Sequence, residues 1–181
     1  MKIQKNQPKK YVITGGPGVG KTSVLEALQN RGYRVVPEAA RQVIEKAQKT
    51  GTDALPWKNL QRFQNNVTAL QMNLETLTWE DAFYDRGIID GHAYATLDGI
   101  KVPGVIAEQG SRRYNLVFLL DPLQSYENDT ARTETREEQL KIQKQLEKSY
   151  RKFGYDIVKV PVMPIEERTE YILNHMKRGK R

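Results

Sequence analysis

The stretch YVITGGPGVGKTSVLEAL, residues 11–28, decides the fold. A short apolar run meets six residues, Gly15–Gly20, four of them glycine; a lysine, a threonine and a helical pattern follow. Gly15, four further residues and then Gly20-Lys21-Thr22 satisfy the phosphate-binding P-loop pattern. A polyphosphate needs several donors converging on one small volume. Backbone amides can converge only where no Cβ blocks the approach and the chain can take positive φ. The helix that follows adds unpaired amides and the positive end of its dipole. Lys21 reaches toward β- and γ-phosphates, and the Thr22 hydroxyl suits Mg²⁺. The expected nucleotide contacts are Gly15, Gly16, Pro17, Gly18, Val19, Gly20, Lys21, Thr22 and Ser23.

A chance match in a chain this long is on the order of one per cent, and this one sits between a predicted strand and a predicted helix. The dinucleotide fingerprint is the nearest rival. Gly16-Pro17-Gly18 begins like it and Glu38 lies near the right distance, but the third glycine would fall on Lys21.

Outward from the loop, strands alternate with helices. Predicted strands are Tyr11–Thr14, Tyr33–Pro37, Ala82–Asp85, Leu116–Leu120 and Asp156–Val162. Predicted helices are Thr22–Arg31, Glu38–Lys49, a long one from Trp57, Asp90–Leu97, Asp129–Phe153 and one opened by Pro164. In the helix from Trp57, Leu60, Phe63, Val67, Leu70, Leu74 and Leu77 form one apolar stripe, expected to pack in the core. Ile142, Leu146, Tyr150 and Phe153 are the expected inward positions of the charged helix, and Asp98–Gly110 reads as a loop. The alternation implies βαβ units and a parallel sheet with helices on both faces. No linker or repeat divides residues 1–181, which read as one domain.

In parallel α/β sheets the working groups gather at the carboxyl ends of strands. Glu38 follows the second strand, Asp85-Arg86 the third and Asp121 the fourth. Glu38 is a candidate general base toward an acceptor hydroxyl, and equally a first-turn carboxylate favoured by the helix dipole. Asp85 is a candidate Mg²⁺ partner through water; Arg41 and Arg86 suit substrate or phosphate. Asp121, before Pro122, reads as a turn residue. Arg132 and Arg136 share a face in the polar stretch Glu127–Glu138, which reads as a lid able to bring cations over the phosphates. Trp57, Phe63, Tyr84, His92 and Tyr94 are candidate stacking groups.

Composition narrows the classes. Cysteine is absent from the 181 residues, which removes disulfides and thiolate chemistry. There is no apolar run of the order of 18 residues, and MKIQKNQPKK has no apolar segment behind it. A cytoplasmic location is expected. The net charge of +7 collects at the ends, in residues 1–9 and 177–181. These basic tails suit solvent, or an acidic lipid or nucleic-acid partner. Neither tail interleaves aromatics for base stacking.

The landmarks ITGGPGVGKTSVLEAL, VVPEAARQVI, YDRGIIDGHAY, TARTETREEQ and YRKFGYDIVKVPVMPIEERTEYIL occur in order over about residues 11–174. In them the chain resembles the P-loop AAA-type ATPase family of the ribosylnicotinamide kinase domain of NadR and of Ttd14. That resemblance implies a three-layer α/β P-loop NTPase fold, kinase-like, with a parallel five-stranded sheet of order 2-3-1-4-5 and a helical lid. It also implies that Glu38 works near the acceptor hydroxyl, that Asp85 and Arg86 lie by metal and substrate, and that Arg132 and Arg136 meet the phosphates. With the residue-based readings, the candidate catalytic set is Lys21, Glu38, Asp85, Arg132 and Arg136, the candidate acceptor contacts are Glu38, Arg41 and Arg86, and the candidate Mg²⁺ partners are Thr22 and Asp85. Two functions are then in view. One is an ATP- and Mg²⁺-dependent kinase acting on a nucleoside- or nucleotide-like hydroxyl. The other is a nucleotide-dependent ATPase or GTPase switch with a protein, lipid or nucleic-acid partner. No guanine-reading Asn/Thr-Lys-x-Asp signature is present, which favours ATP.

Overall fold

The central strand, β1 (Lys10–Thr14), is buried over its last four residues. It can stand in the middle of the sheet because both of its faces are apolar or satisfied. After the phosphate loop come α1 (Lys21–Asn30), β2 (Arg34–Val36), α2 (Ala39–Thr50), α3 (Leu60–Leu77), β3 (Ala82–Asp85) and α4 (Ile88–Leu97). Next are the short α5 (Gly104–Gln109), β4 (Leu116–Leu120), α6 (Arg136–Lys152), β5 (Ile157–Val160) and α7 (Ile165–Arg178). A computed structural model describes residues 7–123 and 135–178 of the chain.

The five strands run β2-β3-β1-β4-β5, all neighbours parallel. This is the order the family resemblance implied. Val12 lies level with Tyr84 on one side and Val117 on the other, so the register aligns the strand ends around the loop. Side chains alternate between the faces. Tyr11, Ile13, Phe83 and Phe118 meet Val24, Leu28, Ile172 and Leu173 from α1 and α7. Val12 and Val117 meet Ile88, Ile89 and Tyr150 from α4 and α6.

Several boundaries move. Asn59 accepts a hydrogen bond from Arg62 N through its side chain, so α3 starts at Leu60 and not at Trp57. A capping box between Thr135 and Glu138 starts α6 at Arg136; the predicted helix began at Asp129. Residues 104–109, expected as loop, form α5, with Ile106 buried.

The face of α3 is the largest correction. The apolar stripe predicts Leu60, Phe63, Val67, Leu70, Leu74 and Leu77 inward; Phe63 is buried and Leu60, Val67, Leu70 and Leu74 are half-buried, while Gln64, Thr68, Gln71 and Glu75 take the other buried positions. Leu77 is 68% exposed. The helix has turned a polar stripe inward because that stripe meets polar partners at the β3 corner. In α6 the same thing occurs on a smaller scale: Leu146 and Tyr150 are buried as expected, and Gln139, Gln143 and Ser149 join them. Among the described residues no helix is long and apolar enough to cross a membrane.

Candidate active site

The carboxyl ends of β1, β3 and β4 converge on the loop of residues 15–20. Gly15 (φ +147°) and Gly20 (φ +85°) take backbone conformations that L side chains rarely adopt. A Cβ on Gly15 would stand 2.9 Å from Val19 Cγ2 and 3.0 Å from the Leu120 carbonyl. The glycine there serves close packing as well as turning. Gly20 caps α1, whose first amides have no intrahelical partner and face any anion in the loop. Lys21 folds back, Nζ donating to Gly15 O at 3.2 Å and Gly16 O at 3.1 Å. Burial first, then the nearby Arg86 charge, lowers its pKa to about 8.

Three side chains from far along the chain hold the loop from outside. Gln143 accepts from Gly16 N at 2.8 Å and donates to Leu120 O at 2.9 Å. Gln139 donates to Pro17 O at 2.5 Å. Arg168, 2% exposed, donates to Val19 O (2.6 Å), Asp121 O (3.0 Å) and Pro161 O (2.9 Å). Arg168 thereby ties the loop to the ends of β4 and β5.

At the end of β3, Asp85 is nearly enclosed, and burial pushes its pKa up to about 6 despite Arg86 and Lys21. Its Oδ1 is buried without a hydrogen-bond partner among the described residues. Arg86 follows in the left-handed region at φ +71°, a conformation that costs a non-glycine residue about 1 kcal/mol. Its Nε donates to Glu38 Oε1 at 2.8 Å. Its Nη1 donates to Asp90 Oδ1 at 3.0 Å and Gly15 O at 3.3 Å, and the guanidinium lies 5.4 Å from the Tyr94 ring centroid. Asp90 also accepts from Thr14 Oγ1 and Tyr150 OH, both at 2.6 Å, and from Gly87 N at 3.1 Å. Asp90 is thus the hub that joins β1, α4 and α6.

Beside this cluster opens a cavity of about 250 Å³. Glu38, Arg86, Asp90, Gln64 and Asp98 give it polar points, and Leu60, Phe63, Val67 and Tyr94 give it apolar and aromatic walls. Glu38 and Arg86 therefore stand between the phosphate loop and a cleft large enough for a small ring-bearing molecule.

Not every predicted site residue joins them. Arg41 is exposed on the first turn of α2 and does not line the cavity. Arg136 donates to Leu123 O (2.9 Å) and Gln139 Oε1 (2.5 Å), reaching the loop only through Gln139. Arg132 lies outside the described residues. Thr22 is exposed and Ser23 half-buried at the start of α1. Of the candidate stackers, Phe63 and Tyr94 line the cavity. Tyr84 is buried with Val36 and Ala82, His92 bonds Ser149 at 2.9 Å, and Trp57 is 63% exposed. Asp90, Gln139, Gln143 and Arg168 were missed. Asp90 sits one helical turn after Arg86, and Gln139 and Gln143 sit one turn apart, which is a weak signal; Arg168 has none.

A family model described as AAA domain matches residues 10–168. The chain belongs to this family. Comparison with curated proteins finds no match. Among solved structures, the NadR protein in complex with NAD and AMP-PNP aligns with a TM-score of 0.68 at 16% identity, over 96% of this chain and 50% of NadR. Shikimate kinase from Acinetobacter baumannii in complex with shikimate aligns with a TM-score of 0.61 at 18% identity, over 97% of this chain and 96% of the kinase. Deoxyadenosine kinase from M. mycoides with bound dATP aligns at 0.57 and 15% identity, over 93% and 99%. The shared fold is that of P-loop kinases, and the chain spans half the length of NadR.

Proposed function

We propose that the chain is an ATP- and Mg²⁺-dependent kinase that phosphorylates a hydroxyl of a small nucleoside-like molecule. The observation that carries the reading is the cavity: Glu38 and Arg86 line it, while Arg86 also touches the phosphate loop at Gly15 O, 3.3 Å away. Transfer to water needs no such ring-sized cleft beside the loop. Solved structures of the fold include a kinase in complex with shikimate and another with bound dATP, a ring-bearing small molecule and a nucleotide.

In this reading Glu38 accepts the proton of the acceptor hydroxyl, held toward it by the Arg86 Nε bond. The amides of residues 15–20 and the first turn of α1 bind the phosphates, with Lys21 leaving its loop carbonyls to meet them. Thr22 Oγ1 would hold Mg²⁺, and the partnerless Asp85 Oδ1 suits a hydrogen bond from water on that ion. Bound there, Mg²⁺ would offset negative charge on the phosphates. Arg136, which bonds Gln139, would add positive charge near the transferred group only by leaving that partner.

The test is an acceptor screen. ATP consumption is measured across nucleosides, nucleotides, nicotinamide riboside and shikimate, with Lys21→Ala as control. At least one acceptor should accelerate turnover in the native chain and not in the control. Nucleotide binding with no acceptor response would instead favour the switch.

A further inference from the structure

The polar face that α3 turns inward has a purpose that packing does not supply. Glu75 is 1% exposed and does not line the cavity. A buried carboxylate is tolerated where its oxygens are partnered. Oε1 accepts from Gln71 Nε2 at 2.9 Å and from Tyr114 OH at 2.8 Å. Oε2 pairs with Arg113 Nε and, at 3.9 Å, with Lys10 Nζ.

Both groups on Oε1 are engaged twice. Gln71 Nε2 also donates to Arg86 O at 3.2 Å, and Tyr114 OH accepts from Ile88 N at 2.6 Å. One carboxylate oxygen therefore orients two side chains that grip the backbone on either side of Gly87. That corner needs gripping, because Arg86 is held at φ +71°. The fit is close: a Cβ on Gly87 would fall 2.6 Å from Tyr114 OH. Release of the corner would let Arg86 swing away from Glu38 and Asp90.

We propose that Glu75 is a positioning residue: acting through Gln71 and Tyr114, it fixes the corner at Arg86 and Gly87 and so aims the Arg86 guanidinium into the cavity. The inference rests on the reading of that cavity as the acceptor site.

Two variants test it. Tyr114→Phe removes one hydroxyl and keeps the ring; Glu75→Gln keeps an accepting oxygen and removes the charge. Three quantities are measured on the full chain: the Arg86 Nε–H resonance in ¹⁵N-labelled protein, assigned by its loss in Arg86→Lys; KM for acceptor against KM for ATP; and the melting temperature. The expected result is a shifted or broadened Arg86 resonance and an acceptor KM raised about tenfold, with KM for ATP unchanged. An unchanged resonance and acceptor KM in both variants, with only the melting temperature lowered, overturns the proposal and leaves Glu75 a stability device. If the native chain phosphorylates no acceptor, the kinase reading fails and the Arg86 resonance alone decides the role of Glu75. If Tyr114→Phe does not fold, Glu75→Gln decides by the same readouts.

Discussion

Replacing Asp85 by asparagine should stabilise the nucleotide-free fold while abolishing activity. Burial raises the pKa of Asp85 from 3.8 to about 6. A carboxyl whose folded pKa is raised is most at home protonated. Its contribution to stability is fully present below the unfolded pKa and is lost as pH rises through about 6. Integrated between those two values, the ionised group destabilises the fold by about 3 kcal/mol at pH 7 and by about 0.6 kcal/mol at pH 4. Asparagine is neutral throughout but leaves an amide at the position where Oδ1 has no partner, which costs about 1 kcal/mol. The net gain at pH 7 is therefore about 2 kcal/mol. At about 2–4 °C per kcal/mol for a chain of this size, the melting temperature rises about 4–8 °C. Thermal melts of both proteins from pH 4 to 8, without nucleotide, measure it. The advantage should vanish or reverse near pH 4. An advantage that is independent of pH, or a variant less stable at pH 7, refutes the reasoning about charge burial at this position.

Three further outcomes follow from the same geometry. Affinity for nucleotide should fall as pH rises through about 8, because free Lys21 loses its charge there and binding must then take up a proton; calorimetric titration between pH 7 and 9.5 measures the slope. Gln143→Leu leaves Gly16 N and Leu120 O without their partner and should weaken nucleotide binding by about tenfold, read in the same titration. Arg168→Met orphans three carbonyl acceptors and should lower stability by about 3 kcal/mol in urea melts; a loss under about 1 kcal/mol would mean that the loop holds its shape unaided.

Much of the fold was legible because it follows from local rules. The glycine-lysine-threonine loop, the alternation of strand and helix, and the apolar runs at β1 and β4 each need only neighbouring residues to be read. What stayed hidden depends on partners distant in the chain. The stripe from Leu60 to Leu77 gave only part of the inward face of α3, because periodicity cannot see that Glu75 will meet Arg113 and Tyr114. The strand-end rule brought out Glu38, Asp85 and Arg86, whose side chains the fold gathers. It passed over Asp90, which reads as an ordinary helical acid until Thr14, Arg86 and Tyr150 converge on it. Gln139, Gln143 and Arg168 act on backbone carbonyls and amides, and backbone groups leave no mark in a sequence.

The loop clamps have a consequence for how the molecule comes into being. The braces of the phosphate loop sit 122, 127 and 149 positions after the groups they hold. A chain growing from its amino end makes the binding motif more than a hundred residues before it acquires the means to shape it. Until α7 docks, Val19 lacks its arginine, and until α6 docks, Gly16 lacks its glutamine. The shaped loop is therefore a late acquisition, and nascent or truncated chains that carry the whole motif should hold a nucleotide more weakly than the folded chain.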